Sequence, residues 1–431
     1  MNRYQWLVVL AAWLGWSFDV FDGVLFNYVA PNSVPTLLGL TIGSPEAHSA
    51  TVFWTGLFTS ILLIGWAVGG IIFGKVADRI GRSKTLVLTM VFYALGTGLC
   101  AIAPNIWILV LLRSLTSLGI GGEWAAGAAL VAEVVPEKWR VEAGALLHTS
   151  ALVGFFMATF LNYQISGVLL SGHPEISWRY VFLCGLIPAV VALVLRLFIK
   201  EPELWQENLT KNEPPQIREL FNEKNLSLTL SGSLVALTAL LTWWTISAFI
   251  PVVSAGLAQA IAVVEGLNEE ATIATTEQWK FLVTNCMTLG GLLGTVLTIP
   301  AAKYLGRQNM FIIYFLLSAA SVLLTFGLNL PPNLRLYMYF PIGISVNGVF
   351  GSFPFYLTEL FPTRIRATGA GFCYNIGRVL AAGGPFFVGA VASFGSLDSI
   401  FQVLFWIGFI PLIGLCFMPW VIETKGQVIA D

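Results

Sequence analysis

Twelve apolar runs, each of the length an α-helix needs to cross a bilayer (about 20 residues), follow one another along a chain of 431 residues. They fall at roughly 6–28, 51–76, 84–103, 106–134, 143–170, 178–199, 227–251, 279–301, 309–330, 334–358, 367–393 and 399–421. Backbone in hydrocarbon must satisfy its own polar groups, so only helices and closed barrels span. These runs are continuously apolar and do not alternate every second residue, which excludes a barrel. The expected fold class is an all-α membrane protein with twelve transmembrane helices. Charge supports this: only 10% of residues are charged, against about 25% in a soluble domain. A soluble fold so poor in charge would expose apolar patches and aggregate. The first run is too long for a signal-peptide core and lacks a small-residue cleavage site, so it reads as a retained helix. The five cysteines are scattered singly, without zinc spacing or a disulfide framework.

Between the sixth and seventh runs the chain turns polar, with Pro202, Pro214 and Pro215. The expected organisation is an N-terminal six-helix bundle over 1–200, a cytoplasmic linker over 201–225 and a C-terminal six-helix bundle over 226–431. With the N-terminus inside, 17 of the 22 Lys and Arg fall in cytoplasmic segments. Arg179, Lys280 and Arg335 fall in outer segments, and Arg113 and Arg378 lie inside helices. Basic residues accumulate on the cytoplasmic side, so both termini of this multi-pass protein are expected to be cytoplasmic. The stretch from Val252 to Gln278 is too polar to span and is expected as an extracellular loop or short surface helix. Its Glu265, Glu269, Glu270 and Glu277 give the outer face an acidic character. The two halves repeat. Ala132-Glu133-Val134-Val135-Pro136 and Arg140 realign 226 residues later with Thr358-Glu359-Leu360-Phe361-Pro362 and Arg366. Gly65, Gly69, Gly81 and Arg82 realign 225 later with Gly290, Gly294, Gly306 and Arg307. Parallel repeats of this kind place a site at the bilayer midplane, exposed alternately to either side.

The segment Gly74-Lys75-Val76-Ala77-Asp78-Arg79-Ile80-Gly81-Arg82-Ser83-Lys84 resembles the signature loop between helices two and three of the major facilitator superfamily. The resemblance covers essentially the whole chain and implies that family's two pseudo-symmetric six-helix bundles. Arg113 with Gly119-Ile120-Gly121-Gly122-Glu123-Trp124, and the run from Tyr356 to Gly369, resemble the proton-coupled metabolite, aromatic-acid and sialate symporters of the superfamily. Asp19-Val20-Phe21-Asp22 keeps the paired-Asp spacing of the aromatic-acid group, with Val20 where that group has glycine. Glu423-Thr424-Lys425-Gly426 and Pro202-Glu203 resemble the sugar porters, but Thr242-Trp243-Trp244-Thr245 stands where those carry glutamines. The signature residues read as a cytoplasmic gate. Asp78 suits the N-terminus of a neighbouring helix. Arg79 and Arg82 reach for Glu133, and Arg140, Glu359 and Arg366 complete the set. Lys303 occupies the position that would repeat Asp78, which predicts a degenerate second copy.

Ionisable groups inside a span are functional candidates. Asp19 and Asp22 share a face of helix one, and Arg113 in helix four lies at similar depth, so it can pair with either. That pair is either a structural tie or a site where one Asp exchanges Arg113 for a proton. Glu123 lies near mid-membrane beside Gly121 and Gly122, a second proton candidate, and His148 in helix five is a third. Arg378 lies deep in helix eleven, one turn after Tyr374 and Asn375. A forked, permanently charged donor there suits a carboxylate, or else pairs with an acid such as Glu123. Asn347 is a further substrate candidate, and Asn285, Asn162, Gln164, Trp243 and Trp244 can line the cavity. No Ser/His/Asp set, metal cluster or phosphate loop supports catalysis, so neither enzymatic activity nor a cofactor is expected. Near-neutral net charge gives no reason for a nucleic-acid partner. The expected function is secondary active transport by a lipid-embedded monomer, as proton symport of a small organic anion (a monocarboxylate, aromatic acid or acidic sugar). The alternative is a facilitator or proton symporter for a neutral sugar or polyol.

Overall fold

The computed structural model describes residues 3–80, 82–136, 139–187, 190, 194, 216–362, 365–392 and 397–425. These form helices, with no strand among the described residues. The first half contributes α1 (Arg3–Leu38), α2 (Pro45–Ile80), α3 (Arg82–Cys100), α4 (Ile106–Val134), α5 (140–169) and α6, which begins at Pro174. The second contributes α7 (226–265), α8 (269–305), α9 (Arg307–Gly327), α10 (332–359), α11 (366–392) and α12 (397–420). Eight described helices are long and apolar enough to cross a membrane, and Val87–Cys100 and Ile106–Gly121 are shorter apolar helices. Residues 201–215 of the expected linker lie outside the described residues.

The segment expected as an outer loop or short surface helix is helical on both sides of Gly266, and its two parts are continuous with α7 and α8. Beyond Phe249 the seventh rod continues as Ile250–Glu265 and ends on Gly266, whose positive φ of 63° closes it. The eighth begins at Glu269, where the Asn268 side chain accepts the Ala271 N–H and two acids sit in the first turn, a favourable place for negative charge. At 40 residues, α7 is about 60 Å long at about 1.5 Å per residue, twice the hydrocarbon thickness of about 30 Å. The part up to Val264 is largely apolar, and the charged residues that mark the stretch as non-spanning begin only at Glu265 and continue into the first turns of α8.

Glycines make the repeat visible in three dimensions. A Cβ on Gly65 or Gly69 of α2 would collide with Ser117 or the Leu118 carbonyl of α4. A Cβ on Gly290 or Gly294 of α8 would collide with the Phe340 or Ile344 carbonyl of α10. The same pair of positions thus joins the same pair of helices in each half. In lipid, close backbone packing of this kind is a main source of helix association. A second glycine seam joins the halves: a Cβ on Gly56 of α2 would lie 2.9 Å from the Gly389 Cα of α11. Beside it, the Ser60 hydroxyl donates to the Ala382 carbonyl at 2.7 Å. This seam lies toward the distal end, opposite the end where Gln5 bonds to Val134 and Lys425 to Tyr304.

At the terminal end, Glu423 caps α9 from a distance. Its carboxylate accepts the N–H groups of Arg307, Gln308 and Lys425 at 3.0, 3.0 and 2.8 Å. Gly306, with φ +92°, presents the helix start, and a Cβ there would meet the Glu423 carboxylate. Partial burial opposes ionisation of Glu423, but the three N–H donors and the Arg307 charge outweigh it and hold the carboxyl below its ordinary range. A depressed carboxyl stabilises the fold above its unfolded pKa, and the contribution is lost as pH falls through the folded value. Glu423→Gln is expected to cost about 1 kcal/mol at neutral pH, as cap losses do, because the site is partly solvated. Thermal melts of the purified protein should show the gap between variant and parent closing as pH falls below about 4.

Candidate functional site

Arg378 is only 2% exposed and faces the other bundle from α11. Its guanidinium carbon lies 4.3 Å from the Trp66 ring centroid on α2 and 4.5 Å from that of Tyr374 on its own helix. Its Nη1 donates to Asn375 Oδ1 at 3.1 Å. Tyr374 and Asn375 precede it by four and three residues, so all three share a helix face. Among the described residues, Asp19 of α1, buried in the first bundle, acts on it electrostatically. A cation and an anion from different bundles thus act on each other electrostatically across the interface.

Aromatic rings extend from this point across the interface. Trp66 meets Trp244 of α7 edge-on at 5.8 Å. Tyr374 contacts Phe353 at 5.8 Å, and Phe353 contacts Phe350 at 5.2 Å. Phe350 lies against Trp243 at 6.0 Å and is stacked on His148 of α5 at 6.1 Å. His148 also meets Trp16 at 5.8 Å, and Asn347, three residues before Phe350, is buried on the same stretch of α10. Asn347 is placed by a local departure from α geometry. Residues Gly343–Asn347 form a π turn and Gly348–Ser352 a 3₁₀ turn. Here α10 presses on α8, where a Cβ on Gly348 would lie 2.7 Å from Gly294 Cα. Such interruptions are tolerated in a membrane only where buried in protein, and they occur often at functional sites.

The two aspartates of α1 go to different partners. Asp22 Oδ1 pairs with Arg113 Nη1 at 3.3 Å and accepts the Thr97 hydroxyl at 2.5 Å. Arg113 Nη2 donates to the carbonyls of Asp22 and Gly23 at 2.8 and 3.3 Å. All these groups belong to α1, α3 and α4, so Arg113 ties the first bundle together and does not reach the interface site. Asp19, three residues earlier, is the one near Arg378.

Lys280, counted with the outer basic residues at the very start of the eighth run, is wholly buried on α8 beside Glu277. This buried pair is not among the candidates drawn from the sequence. The signal that could have found it is the spacing of three between acid and base on a helix that outruns the bilayer. Asn162 is bonded there, and Asn285 donates to the Phe281 carbonyl of its own turn. Neither joins the Arg378 cluster, and Gln164 sits half-buried on a π turn of α5. The side chains of Glu123 and of the gate residues Asp78, Arg79, Arg82, Glu133, Arg140 and Arg366 lie outside the described residues. Glu359 accepts Arg307 Nε and Nη2 at 3.1 and 2.8 Å and the Thr424 hydroxyl at 2.5 Å. The second half, expected to be degenerate at Lys303, thus keeps an Arg–Glu tie between α9 and α10. Among the described residues no cluster of three or more His, Cys, Asp or Glu could hold a metal.

A sequence profile described as Major Facilitator Superfamily matches residues 6–385. A chain of Haemophilus influenzae named for metabolite transport is 29% identical over 100% of this chain and 99% of its own length. The cis,cis-muconate transport protein of Acinetobacter baylyi is 28% identical over 85% of this chain and 86% of its own. Among solved structures, a D-xylose-proton symporter superposes with a TM-score of 0.74 at 19% identity, covering 99% of this chain and 100% of that one.

Proposed function

The chain belongs to the major facilitator superfamily and is an integral membrane transporter, and from that premise we propose that it moves a small organic anion together with a proton. One observation carries the reading: Arg378, buried at the interface between Trp66 and Tyr374, with Asp19 of the opposite bundle acting on it. The substrate carboxylate binds the guanidinium fork, and the rings of Trp66, Trp244, Trp243 and Phe350 take its apolar body. Asp19 accepts the proton as the incoming carboxylate replaces it. His148 and Asn347 stand at the other end of the aromatic wall as further polar contacts. Glu123 remains a second proton candidate. The bundles, bounded at 1–200 and 226–431 and joined by the linker 201–225, rock about this site in a monomer. The terminal end is cytoplasmic, as the basic residues favour, and the signature residues close it.

Charge balance explains the coupling. Empty, Arg378 and Asp19 together are neutral. Loaded with one carboxylate and one proton, the site is neutral again. Either ligand alone leaves a net charge in a buried place, at a cost of several kcal/mol, so half-loaded carriers do not turn over. Asp19→Asn mimics permanent protonation. In proteoliposomes it is expected to keep anion exchange, because its loaded form is neutral, and to lose uptake driven by a proton gradient, because position 19 can no longer take up and release the proton. Gradient-driven accumulation that survives in Asp19→Asn removes Asp19 from the mechanism. A parent protein that takes up no carboxylate of a broad panel under a proton gradient overturns the reading.

A further inference from the structure

We infer that Glu277 and Lys280 on α8, with Asn32, Tyr28 and Asn162 on the opposite bundle, form the gate that closes the carrier at its distal face. Glu277 and Lys280 are both 1% exposed, and Lys280 Nζ lies 2.6 Å from Glu277 Oε1. Neither is saturated by the other. Glu277 Oε1 accepts Asn32 Nδ2 of α1 at 3.3 Å, and Oε2 accepts Asn162 Nδ2 of α5 at 2.6 Å. Lys280 Nζ donates to the Tyr28 carbonyl of α1 at 3.2 Å. One turn along, the Tyr28 and Thr284 hydroxyls share a hydrogen bond of 3.1 Å. All four bonds run between the two bundles. The first bundle supports its side of the contact: Asn32 reaches the Ser177 hydroxyl at 3.4 Å, which the Ser166 hydroxyl contacts at 3.0 Å. Gly167 permits the approach, since a Cβ there would lie 2.7 Å from Glu277 Cβ.

Position identifies the cluster as a gate. Asn32 follows Asp19 by thirteen residues on one helix, so it lies about 20 Å nearer the distal end at about 1.5 Å per residue. Beyond it opens a vestibule of about 230 Å³ lined by Asn32, His48, Thr51, Gln259, Glu269 and Glu277. The cluster is the floor of that vestibule and stands between it and Arg378. Its chemistry suits repeated opening. The ion pair is within one helix, so when the bundles part, Glu277 and Lys280 stay together and water replaces Asn32, Asn162 and the Tyr28 carbonyl. Opening breaks hydrogen bonds and strands no charge. An ion pair split between the bundles would leave two lone charges at every turnover.

The inference rests on membership of the transporter family and not on the choice of anion or proton, and its test needs no substrate. Spin labels at Thr41→Cys and Glu265→Cys, exposed positions on opposite bundles at the distal end, report the separation in a variant lacking the native cysteines. The parent is expected to show mainly the short, closed distance. Asn32→Ala with Asn162→Ala leaves the ion pair intact and is expected to shift the closed-to-open ratio at least tenfold toward the long distance. Asn162→Ala alone shifts it in the same direction by less, which covers the case of a double variant that does not fold. The exchange Glu277→Lys with Lys280→Glu restores a pair within the helix but sets a carboxylate against the Tyr28 carbonyl, and it too is expected to open. An unchanged distance distribution in the folded asparagine variants, or a closed exchange variant, overturns the gate and leaves the cluster a packing feature.

Discussion

Arg378→Ala is expected to abolish saturable carboxylate uptake while leaving the protein folded. Truncating one member of a buried, hydrogen-bonded charge pair costs about 2–5 kcal/mol, which is roughly 30-fold to several-thousand-fold in affinity. The fold is expected to survive because the described contacts that Arg378 makes are each small ones. Asn375 loses one hydrogen bond, Trp66 and Tyr374 lose a face contact, and Asp19 can take up a proton. Arg378→Lys keeps the charge but loses the planar fork and the stacking on two rings, so an intermediate affinity is expected. The check is ligand-induced thermal stabilisation of purified parent, Lys and Ala proteins against aromatic, dienoic and sugar acids and neutral sugars. The expected order is parent, then Lys, then Ala, and only for the acids. A neutral solute that stabilises the parent and the Ala variant equally would replace the anion reading with sugar transport.

How much of this was legible beforehand differs from residue to residue, for physical reasons. A bilayer sets helix length, so all twelve runs stood out without any tertiary information. Arg378, Tyr374 and Asn375 could be grouped because a charge in hydrocarbon is costly and positions three and four apart share a helix face. Their aromatic partners could not. Trp66, Trp243 and Trp244 sit among 15 tryptophans, and tryptophan is just as common in membrane interface belts. Only the packing of α2 and α7 across the interface picks these three out. Asp19 and Asp22 are indistinguishable by spacing. They separate because Arg113 reaches two carbonyls of α1 next to Asp22 and is then used up. Glu277 falls just outside the eighth apolar run and Lys280 at its edge because charge lowers hydropathy there, whereas α8 starts ten residues earlier as helix and buries both. The glycine repeat was readable as an offset of 225 because a missing Cβ is conspicuous in sequence and in packing alike.

The separation of Asp19 from Asp22 has a consequence for stability and coupling that one set of variants resolves. Arg113→Leu removes the ion pair with Asp22 and both carbonyl contacts, and leaves a carboxylate buried with only the Thr97 hydroxyl. Breaking a buried pair from one side costs about 3–5 kcal/mol, a large share of the stability of most proteins, so the folded yield is expected to collapse. Replacing both members is different. Apolar side chains of similar volume in place of a buried pair are often neutral or better, so Arg113→Met with Asp22→Leu should recover most of the loss. Monodispersity and melting temperature in detergent give the cycle, and the coupling between the two sites should be of the order of 1–3 kcal/mol or more. The rescued double variant then decides which aspartate handles the proton. With Asp19 in place beside Arg378, it is expected to accumulate anion under a proton gradient much as the parent does. A double variant that folds and exchanges anion, yet ignores the gradient, would transfer the proton to Asp22 and make the Arg113 pair part of the transport cycle.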